Sequence, residues 1–447
     1  MSSTSQDYSD LSMCYDPMQI KPVSPEPRRN PVAMRSYSIA VIAACPFPVN
    51  YGSPGAIREL SATLSEMGHD VHIVTYPQGE DLGVGKASVH RVGWDGRNGA
   101  FRAGPSGEKL VFDLLMLGKL YKTIRREKIE IIHAHNYEGA LIGLFGKFVT
   151  GKPLIYHSVC LMSDELASYR FVRPAFIAKW LGSILDWFVP IFPDHIIAVT
   201  QELYDWLANR GVPKKRLSMI PSGITPAMFD HADPIRFRKK YGIGSRPVVM
   251  YTGITNAFQR VDYLIRAFSL VLKEMPSALL MIVNPIENEP DLPLLQDLAR
   301  ELGIADNVMF IGPHTLDELP DYLAIATVTV APRPECPGHP IKLLNYMISG
   351  KPIVCFAGGA KGLRHKHDAL VVPDHDWQAM GEAILELLHR PELAETLGGN
   401  ARQNAIENFD WRVVSKRVAA VYESLMLKAN KFDANPKLVK DMKPRRM

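Results

Sequence analysis

The sequence predicts an α/β protein of two doubly wound domains whose parallel sheets face each other across a cleft. Three observations carry this. Short apolar runs alternate with amphipathic helical segments from Tyr37 to Pro221. A polar stretch with prolines, near residues 225–245, breaks the rhythm. A second series of the same kind then starts at PVVMYTG. Strands alternating with helices of this length imply a parallel sheet covered on both faces. Ligands of such sheets sit beyond the carboxyl ends of the strands, so the cleft is the expected site.

The elements follow in order. Residues 1–35, rich in Ser, Pro and charge, read as a disordered tail. The first domain, 36–225, opens with SIAVIAA, a buried strand, and the turn-rich CPFPVNYGSPG. Ile57, Leu60, Leu64 and Met67 then share one helical face until Gly68 stops the helix. VHIVTY, IEIIHAH, PLIYHS, HIIAVT and RLSMIP are the later strands, each behind a helical segment. The second domain, 226–408, runs through RVDYLIRAFSLVLKEM, ALLMIVN, NVMFIG, VTVAP, PIKLLNYMISG and KPIVCF. Residues 409–430 read as a helix returning to the first domain, and 431–447 as a basic tail.

Composition narrows the class. Apolar residues make up 47% and charged ones 22%, as in an ordinary globular protein, and a net charge of +4 gives no reason to expect nucleic-acid binding. The five cysteines are scattered and lack a C-x-x-C pair, which argues against a disulfide framework and a zinc site and for a reducing compartment. No signal peptide and no apolar run of spanning length is read, so a cytoplasmic location is expected, with peripheral attachment to the inner face of a membrane left open.

Some residues draw attention by position. Gly52, Ser53 and Gly55 precede or open a helix, where free N–H groups favour an anion. The spacing is not that of a dinucleotide fingerprint. Alternation puts His133 and His135 on one face of their strand, and His157 ends the next. Asp164 and Glu165 offer acceptor contacts or belong to a helix start capped by Ser163. The aromatic-rich stretch FVRPAFIAKWLGSILDWFVPIF reads either as an interfacial helix presenting Trp180, Trp187 and Phe188 to lipid headgroups or as a buried helix.

PFPVNYGSPGAIRELSATLSEMGHDVHIVTY resembles the opening of the large retaining glycosyltransferase family four, with its GT-B fold of two Rossmann-like domains. DHIIAVTQELYDWLANRGVPKKRLSMIPSGI, VVMYTGITNAFQRVDYLIRAF and GHPIKLLNYMISGKPIV agree in order and spacing, so the resemblance covers about residues 37–428. It implies a nucleotide-sugar donor held mainly by the second domain and an acceptor held mainly by the first. It also implies retained configuration, no metal and no cofactor, and the sequence shows no carboxylate–histidine cluster. The leaving diphosphate then needs backbone N–H groups and Arg or Lys.

The chain departs from the family pattern at four positions. Ile254 and Gln259 stand where the family has an arginine and a lysine, and Pro337 and Asn345 where it has two glutamates. Arg260 is a replacement for the lysine or an ordinary helix residue, and Glu335 a replacement for the first glutamate or an exposed loop carboxylate. Arg333, Lys342, Gly338 and His339 are further candidates for the diphosphate. Asn345 and Gly253 are candidates for the nucleoside. The resemblance makes His157 the active-site histidine, with His135 as rival. The expected activity is metal-independent sugar transfer from a nucleoside-diphosphate sugar to a polysaccharide precursor or lipid-linked acceptor. A nucleotide-sugar epimerase and an inactive binding protein of the same fold remain as alternatives.

Overall fold

The computed structural model describes residues 35–49, 52–93, 107–163, 175–285, 289–336 and 338–434. They form two compact units. One comprises the described residues between 35 and 223 with 338–339 and 411–434, and the other those between 224 and 336 with 340–410.

The first unit holds a seven-stranded sheet in the order β3-β2-β1-β4-β5-β6-β7. Its strands are β1 (Ser38–Ala43), β2 (Asp70–Thr75), β3 (Ser88–Arg91), β4 (Ile131–His135), β5 (Leu154–Ser158), β6 (His195–Ala198) and β7 (Leu217–Met219), all paired in parallel. The helices are α1 (Gly52–Glu66), α2 (Gly107–Arg126), α3 (Asn136–Thr150), α4 (Ala175–Phe188) and α5 (Gln201–Asn209). Central strands such as β4 and β5 are buried throughout, which explains why they read as apolar runs rather than as alternating patterns.

The second unit holds a six-stranded parallel sheet in the order β10-β9-β8-β11-β12-β13. It comprises β8 (Val248–Thr252), β9 (Leu279–Val283), β10 (Val308–Ile311), β11 (Val328–Ala331), β12 (Ile353–Phe356) and β13 (Leu370–Val372). Around it lie α6 (Pro234–Lys240), α7 (Val261–Glu274), α8 (Leu292–Glu301), α9 (Leu319–Ile325), α10 (Ile341–Ser349), α11 (Trp377–His389) and α12 (Pro391–Phe409). In α7 the residues Val261, Leu264, Ile265, Phe268 and Val271 recur on one face and are all buried. Each such side chain contributes about 1.5–3 kcal/mol by leaving water.

The last helix, α13 (Trp411–Ala434), belongs to the first unit. Trp411, Val414, Val418 and Tyr422 follow helical spacing and pack in one core with Ile39 and Val41 of β1 and Leu60 and Leu64 of α1. The chain therefore closes on the sheet with which it began.

Candidate functional site

In the second sheet the strand order reverses between β8 and β11, the switch point beside which ligands of such sheets bind. β8 delivers Tyr251, Thr252 and then Gly253, whose φ of +127° suits glycine. A Cβ on Gly253 would lie 3.0 Å from the Nζ of Lys342, which rises from the first turn of α10. That ammonium donates to the Tyr251 hydroxyl and to Gln259 Oε1, each at 2.7 Å. It also sits 4.3 Å from the centre of the Tyr251 ring. The Tyr251 hydroxyl in turn donates to the carbonyl of Ile254 at 2.6 Å. Burial pushes the Lys342 ammonium down to about 7, and the Arg333 charge adds to the effect.

Arg333 follows β11, with its guanidinium 4.7 Å from the Phe258 ring centre. Its Nε is buried without a hydrogen-bond partner. A buried, unsatisfied donor is costly, so an anionic ligand at this place would relieve it.

Other expected residues fall differently. Arg260 does not serve as a free cation. It caps α7 at a φ of +54°, grips Asp262 through Nε and Nη2 at 2.9 Å each, and stacks on Tyr263. The cation beside Gln259 is Lys342 instead. Glu335 is exposed, and Asn345 is half-buried on α10. Gly338 and His339 group with the first unit, and Pro337, Asp164 and Glu165 lie outside the described residues. A buried carboxylate that does stand by the switch point is Glu289. It accepts a backbone hydrogen bond from Thr255 and is near enough to Tyr251 to raise that phenol.

In the first unit, Gly52, Ser53 and Gly55 form the opening turn of α1, with Gly52 at a φ of +57° and no acidic side chain in that turn. The three histidines come together at the carboxyl ends of β4 and β5. His135 is the register partner of His157, so their rings stack at 4.7 Å between centres, and His133 stacks on His135 at 4.5 Å. His133 Nε2 lies 3.2 Å from His157 Nδ1, and its Nδ1 lies 2.6 Å from the Tyr422 hydroxyl of α13. Burial lowers all three, His157 to about 4. They are therefore neutral near pH 7 and can offer hydrogen bonds but no charge. His135 Nε2 is buried without a partner.

Two family models match the chain: "Glycosyltransferase Family 4" over residues 54–227 and "Glycosyl transferases group 1" over residues 246–390. The chain is a family-four glycosyltransferase with the GT-B fold. It is similar to the MMP alpha-(1->4)-mannosyltransferase of Mycolicibacterium hassiacum, at 26% identity over 403 residues, 82% of this chain and 93% of that protein. A GDP-mannose-dependent phosphatidylinositol monomannoside mannosyltransferase of Mycolicibacterium smegmatis is 31% identical over 217 residues, 46% of this chain and 56% of that one. The structure of HepE from Anabaena in complex with UDP superposes with a TM-score of 0.67 at 17% identity, over 87% of this chain and all of that one.

Reading the sequence missed several residues that shape this glycosyltransferase. Tyr251 and Tyr422 carry no sequence signal of their own, yet their hydroxyls contact Lys342 and His133. Gly358 and Gly359, after β12, let the loop from β11 pass against them. A Cβ on either would run into the backbone carbonyl of Pro334 or Arg333. The double glycine in FAGGA was the available signal. The stretch 175–188 is not a buried helix. Trp180 and Trp187 are each 62% exposed, beside the exposed Phe176, Leu181 and Phe188. Asp186 is spent locally, accepting from the backbone N–H groups of Met162 and Ser163.

Proposed function

We propose that this glycosyltransferase moves a hexose from a nucleoside-diphosphate sugar, with retention of configuration, to a lipid-linked or polysaccharide-precursor acceptor. The observation that carries this is the cation pair at the switch point of the second sheet, Lys342 under Gly253 and Arg333 with its orphaned Nε. As the bond from the anomeric carbon to phosphate breaks, negative charge grows on the leaving diphosphate. Fixed cations and backbone N–H groups stabilise that charge without reorganising. The acceptor hydroxyl attacks from the face the diphosphate leaves, and the departing phosphate takes its proton. No protein nucleophile, resident metal or cofactor enters this scheme. His135 and His157 supply neutral hydrogen bonds to sugar hydroxyls. The complex of HepE with UDP supports a nucleoside diphosphate as the leaving group, and the mannosyltransferases support a hexose.

The test is binding followed by turnover. One of UDP, GDP or ADP at 100 times its dissociation constant should raise stability by about 2.7 kcal/mol, read as a thermal shift. The matching sugar nucleotide should then yield a product with its anomeric configuration unchanged by NMR. A protein indifferent to all three diphosphates would refute the reading.

For the acceptor, the proposal is a lipid-borne one at a membrane surface. Phe148 of α3 contacts Phe192, which contacts Phe188 of α4, so the exposed aromatic face runs across both helices, with Lys179 exposed on it. Among the described residues no helix is long and apolar enough to cross a membrane. Indoles at an interface bury their rings among headgroups while cations meet anionic lipid. Vesicles of phosphatidylcholine with 30% phosphatidylglycerol (roughly the anionic share that makes such attraction measurable) should sediment the protein. The double variant Trp180→Glu, Trp187→Glu should stay in solution with its donor binding intact. Equal sedimentation of both proteins would remove the membrane from the proposal.

A further inference from the structure

At the edge of the first sheet, where β3 is the outermost strand, β2 and β3 bring two histidines together. The register pairs His72 with Ser88 and Val74 with His90, so the histidines are diagonal neighbours on one face. α2 packs on that face through Phe112, Met116, Leu120 and Ile124 against Val74. The helix ends at Arg126, which sets Glu127 beside the pair. His72 Nδ1 is 3.0 Å from His90 Nε2, and the ligand atoms of His72, His90 and Glu127 all lie within 4.8 Å of one another. The reading of the sequence found no carboxylate–histidine cluster. Strand pairing creates one from residues scattered over two strands and a helix end.

We propose that His72, His90 and Glu127 bind a zinc ion. The geometry supports this at three points. Two nitrogens bound to one tetrahedral zinc at about 2.0–2.1 Å stand roughly 3.3 Å apart, close to the spacing already present. The other nitrogen of His72, Nε2, is buried without a hydrogen-bond partner and lies 3.1 Å from Asp70 Oδ2, whose carboxylate also accepts from Ser38 Oγ. A small turn of the ring on metal binding would let Nε2–H donate to Asp70, the carboxylate–histidine arrangement that leaves the Nδ1 lone pair for the ion. Glu127 is 26% exposed, so its carboxylate can swing inward and the ion can enter from solvent. Two imidazoles and one carboxylate suit zinc better than calcium or magnesium. Lys119 and Arg126 oppose the ion from nearby, and Arg126 lies 3.4 Å from Glu127, so affinity is moderate. A bound ion would tie edge strand β3 to β2 and to the end of α2.

The experiment is equilibrium dialysis of the full chain, stripped with chelator, against zinc alone. About one ion per chain is expected at micromolar zinc, with a rise in melting temperature. His90→Ala and Glu127→Gln, both on partly exposed side chains, should each weaken binding at least ~10-fold and remove the rise, and Asp70→Asn should weaken it by ~10- to 100-fold. Arg126→Ala should tighten it. Cobalt in place of zinc should show visible bands without thiolate charge transfer. No zinc bound at 100 μM (roughly a hundredfold above the expected constant) overturns the proposal. Undiminished binding in both His90→Ala and Glu127→Gln also overturns it, since the ion would then sit on the free cysteines or the buried histidines. The readout is metal alone and needs no donor or acceptor, so it fails or succeeds independently of sugar transfer.

Discussion

Replacing Lys342 by methionine should lower sugar transfer by about 10²–10³-fold while leaving the protein as stable as before, or more so. The two halves of this expectation have one cause. Lys342 is held down to about 7 by burial and by Arg333, so the fold tolerates its charge rather than gaining from it. Between about pH 7 and the unfolded value near 10.4, the unfolded chain holds a proton that the folded chain lacks, so stability rises with pH across that window. Lys342→Met removes both the cost and the slope. The hydroxyl of Tyr251 keeps its bond to the Ile254 carbonyl, while the buried Gln259 Oε1 loses its donor, which offsets part of the gain. A diphosphate needs the protonated amine. Donor affinity in the parent protein should therefore fall as pH rises through about 7, with proton uptake on binding above that value. Calorimetry in buffers of different ionisation enthalpy measures the uptake, and chemical denaturation measures stability. If the variant transferred sugar at the parent rate, Lys342 would have no part in holding the leaving group. If it lost activity and unfolded together, the lysine would be structural.

That residue shows where the sequence was legible and where it was not. The two sheets were readable because buried parallel strands are apolar without alternation and α7 repeats on a 3.6-residue period; both are local signals. The cation beside Gln259 was not local. Spacing offered Arg260, one position away, whereas the fold supplies Lys342, 83 residues on. Asp262 decides this, because an acid two residues after Arg260 captures it. The same holds for His133, whose partner Tyr422 lies 289 residues away on α13. Stretch 175–188 stayed open in the sequence for another reason. Apolar richness reads alike on a buried helix and on an exposed interfacial one, and only the exposure of Trp180 and Trp187 separates them.

The largest stability effect should come from Asp368→Ala, which should cost about 3–5 kcal/mol at pH 7. For a unit of this size, that lowers the melting temperature by roughly 10 °C. The Asp368 carboxylate is fully buried between β12 and β13. Its Oδ2 accepts from the Arg364 backbone at 3.2 Å, from Arg364 Nε at 3.1 Å and from Asn404 of α12 at 3.3 Å, and Oδ1 is 2.7 Å from His367 Nδ1. Burial alone would raise this carboxyl, but the hydrogen bonds from Arg364 and His367 win, and its pKa is lowered. The stabilisation is accordingly complete above the unfolded value near 3.9 and lost as pH falls through the lower folded one. Alanine leaves Arg364 and Asn404 facing a void. Asp368→Asn fills the void without the charge and should lose less. The stability gap between parent and Asp368→Asn should narrow as pH falls below about 3.9, where the unfolded carboxyl takes up its proton, and close once the folded carboxyl is protonated at its lower value. A gap that persisted unchanged in acid would mean that packing, not the charged network, holds α12 to this loop. Denaturation of the three proteins at pH 7 and pH 3 (roughly one unit below the unfolded value) decides between them.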